Sequence, residues 1–396
     1  MPYICEHRDS RIPDPFSQGD NGSMARRVLK NQKQAPLPQR AGIDPVSLIL
    51  PENPGETLEN LGLTLNTPET LLTISNYLTL RFYPGHPEVI SARFERREVV
   101  SDTGEILHES TLYRPGEKIW YYRELADEPA LSDDIPILYE DEHILAVDKP
   151  HFLPTTPRGS YIAQTALTKL RVRERNPLLI PIHRLDRPTA GVLLFAKTIQ
   201  ARAPFQTMFQ NRHVSKSYLA VAPLLPDAHA LAQARAGTLQ VTSRITKVRD
   251  ELQVRQLSAA QCQESGEQTN TLSRIELLDS YSFEDTPGAR QLHTTFDAEE
   301  RIHPASFYPA SDTQLGLYRL HPHTGKTHQL RAHMNLLGTP LLGDVLYPNI
   351  LPAAPDEQAL PLQLLAYTLD FEHPVTGEDI HLQSQQSLAF APLAER

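Results

Sequence analysis

The stretch Ile182–His183–Arg184–Leu185–Asp186–Arg187–Pro188–Thr189–Ala190–Gly191, continued by Val192–Leu193–Leu194–Phe195–Ala196, decides how the rest of the chain is read. The apolar run after a Thr–Ala–Gly turn reads as a strand buried on both faces. Just before it, one carboxylate, Asp186, stands between Arg184 and Arg187. A lone aspartate in a turn is usually a solvated or turn-forming group. Bracketed by two guanidinium groups, with a second Arg/His-rich block far downstream, it suggests a working acid that meets a polyanion.

The charge distribution around that stretch points the same way. From Arg158 to Ala220 there are 11 Lys/Arg against two acids, Glu174 and Asp186, while Ser101 to Glu142 holds 12 Asp/Glu against three Lys/Arg. The net charge of −10 argues against a protein that is basic all over. Phosphate contact is therefore expected at the basic segment, with the acidic one facing away from it. The two cysteines, Cys5 and Cys262, cannot make a disulfide framework or a Cys-based zinc site. There is no apolar run of roughly 18 residues and no apolar segment of a secretory leader at the N-terminus. A soluble protein of the reducing cytoplasm, without membrane contact, is the expectation.

Working outward, the 396 residues are enough for two or three domains. Residues 1–64, rich in turn formers and dispersed charge, are expected to be a flexible or loosely docked extension. Residues 65–126 read as a small α+β module. Thr67 is a candidate N-cap with Pro68 behind it, for a helix over Thr67–Leu78, and Pro87–Phe94 is a second short helix. Strands are expected at Glu98–Val100 and within Tyr113–Tyr122. Two helices followed by short strands resemble a divergent alpha-L RNA-binding motif. Residues 127–134 form an acidic linker.

Residues 135–396 read as the larger domain. Ile135–Tyr139 and His143–Pro150 suggest a hairpin, and Tyr161–Arg175 and Arg202–Gln210 suggest helices. Lys216–Ala222 is a strand, Glu267–Asp279 and Gln314–His321 are paired strands, and Leu364–Gln383 holds two more around His373–Gly377. The polar stretch 281–312 is long for a hairpin loop and is expected to be an insertion or lid. Paired strands with irregularly intervening helices give an α+β fold, with a large mainly antiparallel or mixed β-sheet and flanking helices.

The downstream block runs Leu320–His321–Pro322–His323–Thr324–Gly325–Lys326–Thr327–His328–Gln329–Leu330–Arg331–Ala332–His333–Met334. A phosphate-binding P-loop would need a glycine at position 320, which is leucine, so that reading fails. A zinc site from His321, His323, His328 and His333 lacks both an HExxH spacing and an acidic ligand. The reading left is a helix initiated at Gly325, whose first amides and Lys326 would hold backbone phosphate and whose inner face would offer Arg331.

These residues together carry a resemblance. His183–Arg184–Leu185–Asp186–Arg187–x–Thr189–x–Gly191, Lys216–x–Tyr218–x–Ala220, the block His323–Arg331, and Gly338–x–Pro340–x–x–Gly343–Asp344–x–x–Tyr347 are similar to the motifs of the RluA-type pseudouridine synthases. Lys149–Pro150 with Pro154 fits the first motif of that family, and Leu369–Gly377 its final hairpin. The similarity covers about residues 135–390. Ala190 stands where serine is usual, Lys326 where arginine is more common, and Phe152 where the first motif has glycine.

The resemblance implies the pseudouridine synthase fold and a cofactor-free, metal-free isomerase that converts uridine to pseudouridine in tRNA or rRNA, working as a monomer. It implies Asp186 as the carboxylate acting at the ribose anomeric carbon, with Arg331 paired to it and Tyr218 against the base. Arg184 would fill the gap left by a flipped nucleotide, and Arg187, Lys216, Lys326, His328 and Gln329 would bind substrate. His183 is expected to orient the turn. The rival from another class is a non-catalytic RNA-binding protein or RNA chaperone on the same fold. A zinc hydrolase built on the histidines is a weaker one.

Overall fold

The computed structural model describes residues 35–123, 125, 127–289, 309–352 and 360–392. The chain divides into two compact units: the residues up to Pro129 with Pro157–Gln164 and Thr168–Pro177, and Ala130–Thr156 with Thr165–Leu167 and Leu178 onward.

The first unit contains β1 (Val46–Ile49), α1 (Pro54–Glu59), α2 (Ile74–Phe82), α3 (Pro87–Glu95), β2 (Val99–Ser101) and β3 (Lys118–Tyr121). The strands form an antiparallel sheet in the order β1–β3–β2. Leu58, Ile74, Tyr77, Leu78, Ile90, Phe94, Ile119 and Tyr121 close one core. Buried Arg93 is kept polar-satisfied by donating to the Tyr83 hydroxyl at 2.9 Å.

Two expectations change here. Thr73, not Thr67, caps the first helix by accepting the Asn76 amide. Leu72 is still extended, because its carbonyl receives the Tyr113 N–H at 2.8 Å, so the helix starts only at Ile74. The expected extension to residue 64 also overreaches, since β1 pairs with β3 from Val46 onward and Leu50 and Leu58 lie fully buried in this core. The sparse apolar residues that made 46–60 look loose are the ones the small core needs.

The second unit is organised around one mixed sheet. Its elements are β4 (Ile137–Glu140), β5 (Ile144–Lys149), α4 (Ala166–Arg173, of which only Ala166 and Leu167 group here), β6 (Ile180–Pro181), β7 (Ala190–Ala196), α5 (Ile199–Gln210) and β8 (Ser215–Pro223). Then come α6 (Ala228–Arg235), β9 (Leu239–Thr246), β10 (Arg255–Ser258), α7 (Ala259–Ser265), β11 (Thr271–Ser282), β12 (Gln314–Pro322), α8 (Gln329–Leu336), β13 (Leu364–Glu372) and β14 (Asp379–Gln383).

The eleven-stranded sheet runs β10–β9–β11–β12–β8–β13–β7–β5–β4, with β14 beside β13 and β6 beside β7. Every pairing is antiparallel except β13 with β7. The architecture is α+β with a large mixed sheet and flanking helices. The 281–312 insertion falls mostly at 290–308, outside the described residues.

β7 is the strand read from the apolar run, and all seven of its residues are buried. Burying each Val, Leu or Phe side chain there contributes about 1.5–3 kcal/mol. Gly191 is required at its start. Its φ is +110°, and a Cβ would stand 2.1 Å from the Ala366 carbonyl oxygen of the parallel neighbour β13.

Candidate active site

Asp186 sits in the short segment between β6 and β7, and that segment is fastened from several sides. The Thr189 amide donates to the Asp186 carbonyl at 3.0 Å. The buried Thr155 hydroxyl donates to the Leu185 carbonyl at 2.8 Å, and the Leu185 amide donates back to it at 3.2 Å. The Lys149 ammonium, at the end of β5, donates to the carbonyls of Pro150 and Leu153 at 2.8 Å and of Arg187 at 3.3 Å. His151 Nδ1 donates to the Pro188 carbonyl at 2.6 Å. These bonds satisfy a turn that would otherwise bury free carbonyls. Burial pulls the Lys149 ammonium down to about 7, partly opposed by the negative charge of Asp186.

Phe152 takes φ +63°. The position therefore keeps the left-handed conformation that glycine adopts freely, at a cost of about 1–2 kcal/mol for a side chain with a Cβ. The Arg187 guanidinium lies 5.7 Å from the Phe152 ring centre.

The second half of the site comes from α8 and the loop after it. The Arg331 side chain is only 3 % exposed and makes a two-pronged fork to Asp344, with Nε to Oδ2 at 2.8 Å and Nη2 to Oδ1 at 2.6 Å. Its remaining nitrogen, Nη1, reaches Asp186 Oδ2 at 3.4 Å. The expected pair of Arg331 with Asp186 is therefore present, and a closer partner, Asp344, adds to it; its Oδ1 also accepts the amides of Leu346 and Tyr347 at 2.9 and 3.2 Å. The physical reason is reach: Asp344 presents both oxygens to the fork, while Asp186, 32 % exposed, turns only one toward it. Burial opposes the Arg331 charge, and the Asp344 carboxylate more than offsets this, so the guanidinium is held above its ordinary range.

His328 Nε2 lies 3.7 Å from the same Asp186 Oδ2. Among the described residues, Asp186 Oδ1 has no hydrogen bond or ion pair. Arg331 thus holds one carboxylate oxygen, His328 stands just beyond hydrogen-bond range of it, and the other oxygen is free to act.

Tyr218, in the middle of β8 between Leu320 of β12 and Ala366 of β13, lines a small cleft with His183, Lys216 and Thr368. Burial, with the charge of Asp186 added, pushes its hydroxyl up, so it stays a neutral phenol. His183 accepts the Leu194 amide on Nε2 at 3.2 Å and stacks on Phe209 at 4.8 Å. Burial first, then the nearby Lys216 charge, brings it down to about 3, so it is a neutral residue that ties the motif to β7.

The cations expected at phosphates are placed differently from one another. Arg184 is exposed on the turn beside Asp186, and Lys326 is exposed in the loop before α8. Lys216 is half-buried beside Gly325, its ammonium lowered by burial and by the Arg212 charge.

Gln329 does not join them, because it is buried and every polar atom of its amide is used inside the protein. Its Oε1 accepts the Thr324 hydroxyl at 2.6 Å and the Lys326 amide at 3.1 Å. Its Nε2 donates to the Leu272 carbonyl at 3.1 Å and the Ser273 hydroxyl at 2.9 Å. This also corrects the Gly325-initiated helix: α8 begins at Gln329, after His328 in the left-handed region, and the Lys326 amide is already taken.

The histidines of the zinc reading diverge. His333 is buried against the Ser243 and Thr271 hydroxyls at 3.0 Å, His323 is exposed, and His328 faces Asp186. Among the described residues no group of three or more His, Cys, Asp or Glu side chains is placed to hold a metal ion. No helix there is long and apolar enough to cross a membrane. Asp344 and Lys149 were quoted as motif residues without a role. The signal for Asp344 was a lone acid eight residues beyond the helix that carries Arg331.

Residues 143–336 match the family described as RNA pseudouridylate synthase. The matched stretch takes in β7, with Asp186 ahead of it, and Arg331 on α8. The chain is 27% identical over 254 residues to the tRNA pseudouridine(31) synthase of Saccharomyces cerevisiae, a match covering 62% of this chain and 54% of that protein. It is 29% identical over 266 residues to the ribosomal large subunit pseudouridine synthase D of Xanthomonas campestris pv. campestris, covering 63% and 66%. It is also 29% identical over 238 residues to the dual-specificity RNA pseudouridine synthase RluA of Vibrio vulnificus, covering 60% and 78%. Over this stretch the chain is similar to RluA-type pseudouridine synthases. It spans about half to two thirds of the length of the yeast and Xanthomonas proteins.

Proposed function

We propose that the chain is an RNA pseudouridine synthase that isomerises specific uridines in structured RNA, tRNA or rRNA. The observation that carries this reading is the state of Asp186: one carboxylate oxygen held by Arg331, itself anchored on Asp344, and the other oxygen free. In the reaction the bond from the ribose anomeric carbon to uracil N1 breaks, the base turns, and the same carbon bonds to C5, which gives up its proton. Positive charge develops on the sugar as the first bond breaks, and a carboxylate at that face attacks or stabilises it. Substrate and product are isomers, so the atoms balance without a co-substrate.

In this reading Tyr218 lies against the unstacked uracil, and Arg184 occupies the space the flipped nucleotide leaves. Arg187, Lys216 and Lys326 meet phosphates. The α2–α3–β2–β3 module, with its alpha-L-like order of elements, helps hold RNA. The expected cytoplasmic location rests on the two cysteines having neither disulfide-framework nor metal-site spacing; a monomer is the expected state.

The test is to incubate total tRNA and rRNA from a deletion strain with the protein and map pseudouridine. New sites made by wild type support the reading. Tight RNA binding without any new site would favour the binding-protein alternative.

A further inference from the structure

The mechanism above uses Arg331 to hold Asp186 Oδ2 and leaves the second group at that oxygen, His328, without a role. His328 is buried to 12 % side-chain exposure and stands in the left-handed region at φ +53°, an unfavourable place for a residue with a Cβ. Both of its ring nitrogens face a polar group. Nδ1 is 3.2 Å from the Tyr347 hydroxyl, and Nε2 is 3.7 Å from Asp186 Oδ2.

The Tyr347 hydroxyl is already engaged as an acceptor, because the Val254 amide donates to it at 2.9 Å. Its own hydrogen is free to go to His328 Nδ1, the other polar partner it has among the described residues. A ring nitrogen that accepts on Nδ1 carries its proton on Nε2. That proton then points at Asp186. The opposite tautomer would set a bare lone pair against a carboxylate.

We infer that His328 is a positioning residue for Asp186: a neutral imidazole whose Nε2–H is aimed at Oδ2 because Tyr347 and the Val254 amide fix its tautomer. This rests on the proposed isomerase reading of Asp186. The Nε2 to Oδ2 distance is longer than a formed hydrogen bond and closes when substrate orders the site. With Arg331 and His328 both on Oδ2, the carboxylate cannot rotate to exchange its oxygens, and Oδ1 stays toward the sugar.

The relay begins in the loop between β9 and β10, which also faces the site through Lys247. The groups facing His328 are Asp186 ahead of β7, Arg331 on α8, Asp344 and Tyr347 after it, and Lys247 after β9. Burial chiefly, with Arg331 and Lys247, keeps the imidazole below its ordinary range, against the pull of Asp186 and Asp344. It therefore remains neutral through the physiological range.

Two measurements test this on the full chain. The first is nitrogen NMR of 15N-histidine protein without RNA, with the His328 signal assigned by its loss in His328→Asn. The inference predicts a neutral ring protonated on Nε2 at pH 7.5, and a changed Nδ1 signal in Tyr347→Phe. A ring protonated on Nδ1, or doubly protonated, would overturn it.

The second is single-turnover isomerisation of a modified RNA. His328→Asn suits the left-handed backbone but cannot reach Asp186, so its chemical step should slow by about tenfold to a hundredfold with RNA affinity unchanged. His328→Gln keeps a donor near the Nε2 position and should recover most of that loss. Asn at the wild-type rate, or a defect confined to RNA affinity, would contradict the assignment. If wild type itself modified no RNA, the isomerase reading would fall and the tautomer measurement would decide the relay alone.

Discussion

Replacing Asp344 by asparagine probes the arrangement behind Asp186 most sharply. In the wild type the Arg331 guanidinium is 3 % exposed and Asp344 is fully buried, so neither charge has water to fall back on. The fork supplies two charge-assisted hydrogen bonds at 2.8 and 2.6 Å, and the same carboxylate caps two backbone amides. Asparagine has the same shape and can still accept at one oxygen, but it places an amide N–H against the guanidinium. Breaking a buried pair by removing one partner costs about 3–5 kcal/mol. The remaining acceptor and the partial pairing with Asp186 bring the expected loss toward about 3 kcal/mol.

For a domain of this size that is a fall in melting temperature of roughly 6–12 °C. The displaced guanidinium should also turn more fully onto Asp186, engaging the carboxylate that is proposed to act on the sugar. Turnover should therefore fall by more than the folded fraction does. Thermal unfolding followed by circular dichroism, with single-turnover kinetics below the transition, reads both effects. Asp344→Asn melting with wild type and turning over at its rate would refute the claim that the Asp344 fork anchors Arg331.

Gly191→Ala should lose about 3 kcal/mol or more, or fail to accumulate folded protein, because its Cβ would stand 2.1 Å from the Ala366 carbonyl at φ +110°. A wild-type melt would disprove the stated close approach of β7 and β13. Lys149 predicts a pH dependence: between about 7 and its ordinary value near 10.5 the unfolded chain holds a proton that the folded chain has lost. Stability should then rise with pH across that window relative to Lys149→Met, and the difference should be flat below it. A difference that falls toward pH 9 in urea titrations would reverse the assigned burial cost. RNA affinity should drop steeply with salt as Lys/Arg contacts release counterions, and Lys216→Ala should make the slope shallower. An unchanged slope would remove Lys216 from the phosphate path.

What could be read in advance followed from how local each cause is. β7 was legible because its neighbours bury both faces, which forces an unbroken apolar run. Asp186 was legible because its flanking arginines are adjacent in sequence. The β9–β10 hairpin and α7 were not, since one of the four inward positions of β9 is the polar Ser243 and α7 is held by a capping box of Ser258 and Gln261 more than by an apolar stripe. The pair of Arg331 with Asp186 was legible, but its anchor Asp344 was not, because only the folded loop after α8 shows which acid presents both oxygens to the guanidinium. Gln329 looked like a polar contact residue in a basic block, and its burial becomes visible only when β11 lies beside α8.

The central claim is that the free oxygen of Asp186 acts at the ribose anomeric carbon. Its most direct test is proton release from RNA carrying tritium at uridine C5, measured under single turnover for wild type, Asp186→Asn and Asp186→Glu. Wild type should release tritium at each modified uridine, while both variants bind the RNA with wild-type affinity and release none above background. Tritium release by Asp186→Asn at the wild-type rate would contradict the account.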